Sequence, residues 1–138
     1  MRRLLLREFR SNANTPDGMV HELPGGSSAS RETTPLQVAV DELREETGLS
    51  LPASRFKMCG ERQCMATMLT HQAHLFSIEL TDDELQQCKS NEGKRFGEND
   101  SERTYIEVRT VGEILAAQDV DWTHIGMILS VLNKAQSP

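Results

Sequence analysis

The stretch that decides the fold runs from Gly25 to Leu49 and reads GGSSASRETTPLQVAVDELREETGL. Its pattern predicts a glycine loop followed by a helix over 35–47. A capping residue, a first-turn proline, a capping-box partner and a left-handed glycine stop support these helix ends. They are Thr34, Pro35, Gln37 and Gly48. The stretch therefore predicts a glycine loop joined to a helix with defined ends.

The predicted helix has two different faces. Residues at helical spacing form a largely apolar stripe, which consists of Leu36, Ala39, Val40, Leu43 and Thr47. Glu42, Glu45 and Glu46 lie at i, i+3 and i+4 on another face, where like charges repel by a few tenths of a kcal/mol per pair. A hard divalent cation would turn this repulsion into attraction, because Mg²⁺ and Mn²⁺ prefer oxygen ligands. The alternative is a solvated acidic face, and the flanking glycines favour the metal-binding interpretation.

Residues Gly26 to Leu49 resemble the Nudix box. Its pattern runs glycine, five residues, glutamate, seven residues, then Arg-Glu-hydrophobic-any-Glu-Glu-any-Gly-hydrophobic. The sequence ELREETGL at 42–49 matches the second half, and Gly26 and Glu32 match the spacing of the first. Two departures stand out. Eight residues separate Glu32 from Asp41, and Asp41 replaces the family's arginine, which usually orients the catalytic glutamate.

The flanking sequences extend the resemblance. LLLREFR at 4–10 and HELPGG at 21–26 resemble the branch that contains ADP-ribose and nucleotide-sugar pyrophosphatases. The resemblance implies one Nudix-like domain over 1–138, of the α/β (α+β) class, with a mixed sheet in an α-β-α sandwich. Such domains usually have one or two further strands before the segment that begins here at residue 2. We therefore expect a sheet without these strands, and a homodimer that covers its apolar edge.

The order of predicted elements agrees with this class. Strands are predicted over 3–9, 19–23, 55–64, 72–80 and 104–109, and helices over 35–47, 81–89, 111–117 and 123–134. A polar loop over 90–103 separates the second predicted helix from the last predicted strand. Neither repeats nor low-complexity tracts are found, so the sequence predicts a single domain.

The resemblance implies a metal site and a general base. The metal, Mg²⁺ or Mn²⁺, would be held by Glu42, Glu45 and Glu46, with a backbone carbonyl near Gly26 as a further ligand. In this branch the base can lie on a late loop, where Glu98 and Glu102 are the best candidates. The alternatives are Glu45 and Glu46 in the helix and a purely solvated acidic loop.

Substrate contacts are predicted on both sides of this site. Gly25 and Gly26 would let the main chain approach phosphate groups closely. Arg7 and Arg10 precede the box and are candidates to clamp phosphate oxygens, although exposed arginines without such a role are equally common.

The predicted function is metal-dependent hydrolysis of the pyrophosphate bond in nucleoside diphosphate derivatives. ADP-ribose or a nucleotide sugar is the first expectation from the flanking resemblance. Two alternatives stay open. One is a pyrophosphohydrolase for nucleoside triphosphates or capped RNA, and the other is a catalytically weak Nudix-fold binding module.

Composition excludes several other classes. The net charge of −6 argues against a general nucleic-acid binder, which normally presents a basic patch. No apolar run approaches the roughly 20 residues that span a bilayer, so we expect no membrane partner. The three cysteines lack a C-x-x-C pair, which indicates free thiols in a reducing compartment. The expected location is the cytoplasm.

Overall fold

The structure, a computed structural model, describes residues 2–28, 30–97 and 102–136. Its elements are β1 Arg2–Phe9, β2 Met19–Glu22, α1 Pro35–Thr47, β3 Lys57–Gln63, β4 Gln72–Ser77, α2 Asp82–Ser90, β5 Arg95–Phe96, β6 Thr104–Thr110, α3 Val111–Ala117 and α4 Trp122–Gln136. A short 3₁₀ helix, Ala53–Arg55, lies between α1 and β3. The predicted helices and five strands are confirmed, with ends that differ by a few residues. The 3₁₀ helix and the two-residue strand β5 were not predicted.

The ends of α1 follow from the residues that flank it. The hydroxyl of Thr34 accepts a hydrogen bond from the backbone N–H of Gln37 at 3.2 Å. Gly48 adopts a left-handed conformation with φ 73° and donates its N–H to the carbonyl of Arg44. The Gln37 side chain donates to Asp41 at 3.0 Å, so the second half of the expected capping box is replaced by a bond within the helix. The helix is therefore fixed at both ends by local chemistry.

The main sheet of the described residues has four strands in the order β2-β1-β6-β5. Strands β3 and β4 form a separate hairpin. All of these strand pairs are antiparallel, so the prediction of a mixed sheet was wrong. For β1–β2, β3–β4 and β5–β6 the physical reason is connection length, because a loop joins each pair directly and parallel pairing needs a long crossover. One parallel contact is present, the isolated bridge between His21 and Val120.

Strand β1 lies inside the sheet. It pairs with β2 on one side, where Leu6 lies opposite Glu22, and with β6 on the other, where Leu6 lies opposite Ile106. The expectation of a homodimer depended on an uncovered apolar edge of the sheet, and the apolar strand β1 is not at an edge of the described sheet. The homodimer stays a prediction without this support.

Helices cover both faces of the sheet, and each face has its own core. On the first face, Leu6 packs with Leu43 of α1 and Cys88 of α2. On the second face, Leu5 packs with Ile114 of α3 and Ile128 of α4. The structure is thus of the α+β class, with the sheet between two helical layers. Across the described ranges, no helix combines the length and apolar character needed to cross a bilayer.

Candidate functional site

The glycine loop meets the acidic face of α1. The backbone N–H of Gly25 donates a hydrogen bond to the Glu46 carboxylate at 3.0 Å. A Cβ atom placed on Gly26 would lie only 2.0 Å from Oε1 of Glu42. Any larger residue at position 26 would therefore displace this carboxylate. Glu42 and Glu46 are four residues apart, so both project from one side of the helix toward the loop.

Glu45 has a different environment. Its carboxylate accepts a hydrogen bond from the guanidinium of Arg44 at 3.3 Å. Arg44 also lies 3.6 Å from Asp41, the residue that replaces the arginine of the Nudix pattern. The structure thus brings Glu42 and Glu46 to the glycine loop and shows Glu45 in a surface pair with its neighbour. Metal binding by Glu45 stays a prediction.

Two further carboxylates, which the sequence analysis did not identify, join the site from the sheet. Glu8 of β1 is only 8% exposed, and Glu22 of β2 lies diagonally across from it on the same sheet face. The guanidinium of Arg10 lies 2.8 Å from Glu8 and 3.4 Å from Glu22. Strand alternation carried a signal for Glu8, because it occupies the face of the buried Leu6. Glu22 required the strand register.

Burial and neighbouring negative charges raise the pKa values of two carboxylates in this group, Glu46 and Glu8. The pKa of Glu46 is raised to about 8, chiefly by burial and also by the negative charges of Glu42, Glu22 and Glu8, against the lowering effect of the Gly25 N–H. Burial likewise raises the pKa of Glu8, with Glu22 and Glu102 adding to the effect and Arg10 opposing it. Ionised carboxylates in such a group repel one another unless a proton or a cation is present. We call Glu8, Glu22, Glu42 and Glu46 the acidic site.

Of the two general bases predicted on the late loop, only Glu102 lies within the described residues. Glu102 is exposed, and its charge acts on Glu8, so it lies near the acidic site. Glu98 lies outside the described residues. The position of Glu102 is compatible with a role as the base, and that role stays a prediction.

Arg7 lies on the opposite face of the sheet from the acidic site. Strand alternation separates it from Glu8, and its guanidinium lies over the ring of Tyr105, 5.3 Å from the ring centre. Such cation–π contacts stabilise by about 0.5–2 kcal/mol. Of the two predicted phosphate clamps, the structure therefore brings only Arg10 to the glutamates.

The residues of the acidic site fit a hard divalent cation. They offer two carboxylates beside the glycine loop, and Mg²⁺ is usually bound through one or two carboxylates together with water and substrate phosphates. Among the residues that the structure describes, no group of three or more His, Cys, Asp or Glu side chains is arranged to hold a metal ion. A metal here would therefore use Glu42, Glu46 and a main-chain oxygen rather than a closed protein cage.

In comparisons with known proteins, no family model matches this sequence and no curated protein matches it significantly. The Nudix resemblance consequently depends on the residues of the box and its flanks. The approach of Gly25 and Gly26 to Glu46 and Glu42 is the structural observation that bears most directly on it.

Proposed function

We propose that this protein is a divalent-metal-dependent hydrolase of the Nudix superfamily, which cleaves the pyrophosphate bond of nucleoside diphosphate derivatives. ADP-ribose or a nucleotide sugar is the first substrate to test. The observation that carries the proposal is the convergence of Glu42 and Glu46 on Gly25 and Gly26. The helical layers on both sides of the sheet also agree with a Nudix-like sandwich.

Each part of the acidic site has a proposed task. Glu42, Glu46 and the carbonyl of Gly26 would hold Mg²⁺ or Mn²⁺, which when bound neutralises phosphate charge and lowers the pKa of a coordinated water. Arg10 would orient phosphate oxygens, since its guanidinium already lies beside the site. Glu102 would accept the proton of the attacking water, with Glu98 as its alternative. Separate Glu102→Gln and Glu98→Gln variants assign the base by loss of turnover, and full turnover in both would direct attention to Glu45 and Glu46.

The test is a hydrolysis screen with Mg²⁺, Mn²⁺ and chelator over ADP-ribose, nucleotide sugars, nucleoside triphosphates and capped RNA. A diphosphate derivative should release nucleoside monophosphate only when metal is present. A chromatographic assay of the products also separates this activity from triphosphate or cap hydrolysis. The proposal is wrong if no diphosphate ester is cleaved and neither metal associates with the folded protein.

A second candidate is a binding module of the same fold with weak catalysis. It is favoured by Asp41, which pairs with Gln37 and Arg44 where the family pattern has an arginine. A binder should retain metal and nucleotide binding while showing no turnover that chelator removes. The location we propose is the cytoplasm, in line with the three free thiols.

A further inference from the structure

A cavity of about 500 Å³, lined mainly by polar residues, adjoins the acidic site. It lies between the β1–β2 loop, strand β2 and the loop that joins α3 to α4. Arg10 and Glu22 belong to both the cavity and the acidic site. A ligand in the cavity could therefore be connected directly to a phosphate group bound beside Arg10.

The wall formed by the α3–α4 loop is held in place by several contacts. Gln118 ends α3 in a left-handed conformation with φ 57°, and Val120 forms the bridge to His21. Both oxygens of the Asp119 carboxylate lie 3.0 Å from the guanidinium of Arg109. His21 is itself bonded to Glu107 at 2.7 Å. This wall does not need to be ordered by a ligand, which lowers the entropic cost of binding.

The opposite wall is the β1–β2 loop, and it is also closed by local hydrogen bonds. The hydroxyl of Thr15 donates to the carbonyl of Met19 at 2.8 Å, and the N–H of Arg10 donates to the carbonyl of Gly18 at 2.9 Å. Asn12 and Asn14 lie on this loop and line the cavity. Their amides offer both donors and acceptors to a ligand.

The described residues that line the cavity carry more carboxylates than cationic side chains. They include the carboxylates of Glu22, Asp119 and Asp121 and one guanidinium, that of Arg10. Carboxylates accept hydrogen bonds from hydroxyl groups but repel a second negative charge. Within the same part of the chain the lining contains no Phe, Tyr or Trp ring, and its imidazole, that of His21, is bonded to Glu107 at 2.7 Å. Such a cavity suits a neutral group with many hydroxyls.

We propose that this cavity is a binding subsite for a neutral, hydroxyl-rich group such as a sugar, and that its carboxylates exclude anionic groups. The inference rests on the proposed function in one respect, because it takes the group to be attached to the diphosphate beside Arg10. Asp121 contributes most to the charge selection, because the carboxylates of Asp119 and Glu22 are paired with the guanidinium groups of Arg109 and Arg10. Asn12 and Asn14 contribute hydrogen bonds.

The experiment compares UDP-glucose with UDP-glucuronate, which differ in one carboxylate on the sugar. Calorimetry with chelator measures binding, so that the ligands are not hydrolysed during the titration. The pair ADP-ribose and ADP repeats the comparison with another nucleoside. Wild-type protein should bind UDP-glucose at least about tenfold more tightly than UDP-glucuronate, and ADP-ribose more tightly than ADP.

The variant Asp121→Asn should reduce the discrimination against UDP-glucuronate several-fold. Asparagine can still accept the N–H of His124, which Asp121 accepts at 2.8 Å at the start of α4, so the variant should fold. Asp83→Asn, an exposed change on α2, is the matched control and should leave the ratio unchanged.

Equal binding of the two sugars, binding no tighter than that of the bare diphosphates, or an unchanged ratio in Asp121→Asn would overturn the proposal. The result is independent of turnover. Selective binding without hydrolysis would support the subsite and contradict the proposed hydrolase function. Metal-dependent hydrolysis without selectivity would support the hydrolase function and contradict the subsite.

Discussion

Replacing Glu46 by glutamine should change the pH dependence of stability in a defined direction. A carboxyl whose pKa rises from the ordinary 4.5 to about 8 in the folded protein disfavours its ionised form there by up to about 5 kcal/mol. The contribution of Glu46 to the free energy of unfolding is therefore greatest below pH 4.5, where the group is protonated in both the folded and the unfolded state. This contribution is lost progressively as the pH rises to about 8, at up to about 1.4 kcal/mol per pH unit.

Glutamine keeps the acceptor for the Gly25 N–H but carries no charge. In metal-free buffer, Glu46→Gln should therefore be more stable than wild type at pH 8–9, with little difference at pH 4–5. Urea unfolding at a series of pH values with chelator measures this difference. Glu79→Gln, an exposed change between β4 and α2, is the control and should follow the wild-type curve.

Divalent metal gives the second half of the test. At 100 times its dissociation constant, a bound cation should stabilise wild type by about 2.7 kcal/mol, most effectively at pH 8–9, where protons compete least. Glu46→Gln should lose most of this gain and at least about 100-fold in turnover. If wild type and the variant have parallel stability curves and respond equally to Mg²⁺ and Mn²⁺, the assignment of Glu46 is wrong.

Two further predictions concern substitutions at Gly26 and Glu84. Gly26→Ala should weaken metal affinity about tenfold or more, because its Cβ would displace Glu42; Gly25→Ala, whose Cβ has nothing within 4 Å, is the matched control, and equal affinities in a metal titration would contradict the reasoning. Glu84 accepts hydrogen bonds from Arg55, which holds its pKa down at about 2; Glu84→Gln should therefore lower stability at pH 7, and acid titration followed by circular dichroism should show that this loss shrinks as the pH falls from about 4.5 toward 2, whereas a constant difference would refute the assignment.

The parts of the fold that local chemistry determines were predictable from the sequence. Helix α1 begins after Thr34 and ends before Gly48 because the cap and the left-handed stop are encoded within a few residues. Strand β5 was missed because two residues have no detectable periodicity, and Arg95–Phe96 is a strand only through its pairing with β6. The sense of strand pairing was also missed, since it depends on which strands are neighbours.

In the candidate site, too, the features that depend on local sequence were predictable and those that depend on strand pairing were not. The spacing of Glu42 and Glu46 along the helix was enough to predict that they lie together. Glu22 could be added only after the register with β1 was known. Arg7 could have been separated from Glu8 by strand alternation alone, so its assignment to the glutamates ignored a signal that the sequence carried.

The edge position of β2 explains how one ligand could reach both the acidic site and the cavity. His21 and Glu22 are consecutive residues, so their side chains project to opposite faces of the sheet. In an interior strand this would separate their ligands by the full thickness of the sheet. Because β2 is the outermost strand on its side of the described sheet, the cavity at its edge is lined by both residues. A diphosphate beside Arg10 could then carry its second group around the edge, which makes β2 the structural link between the two proposals.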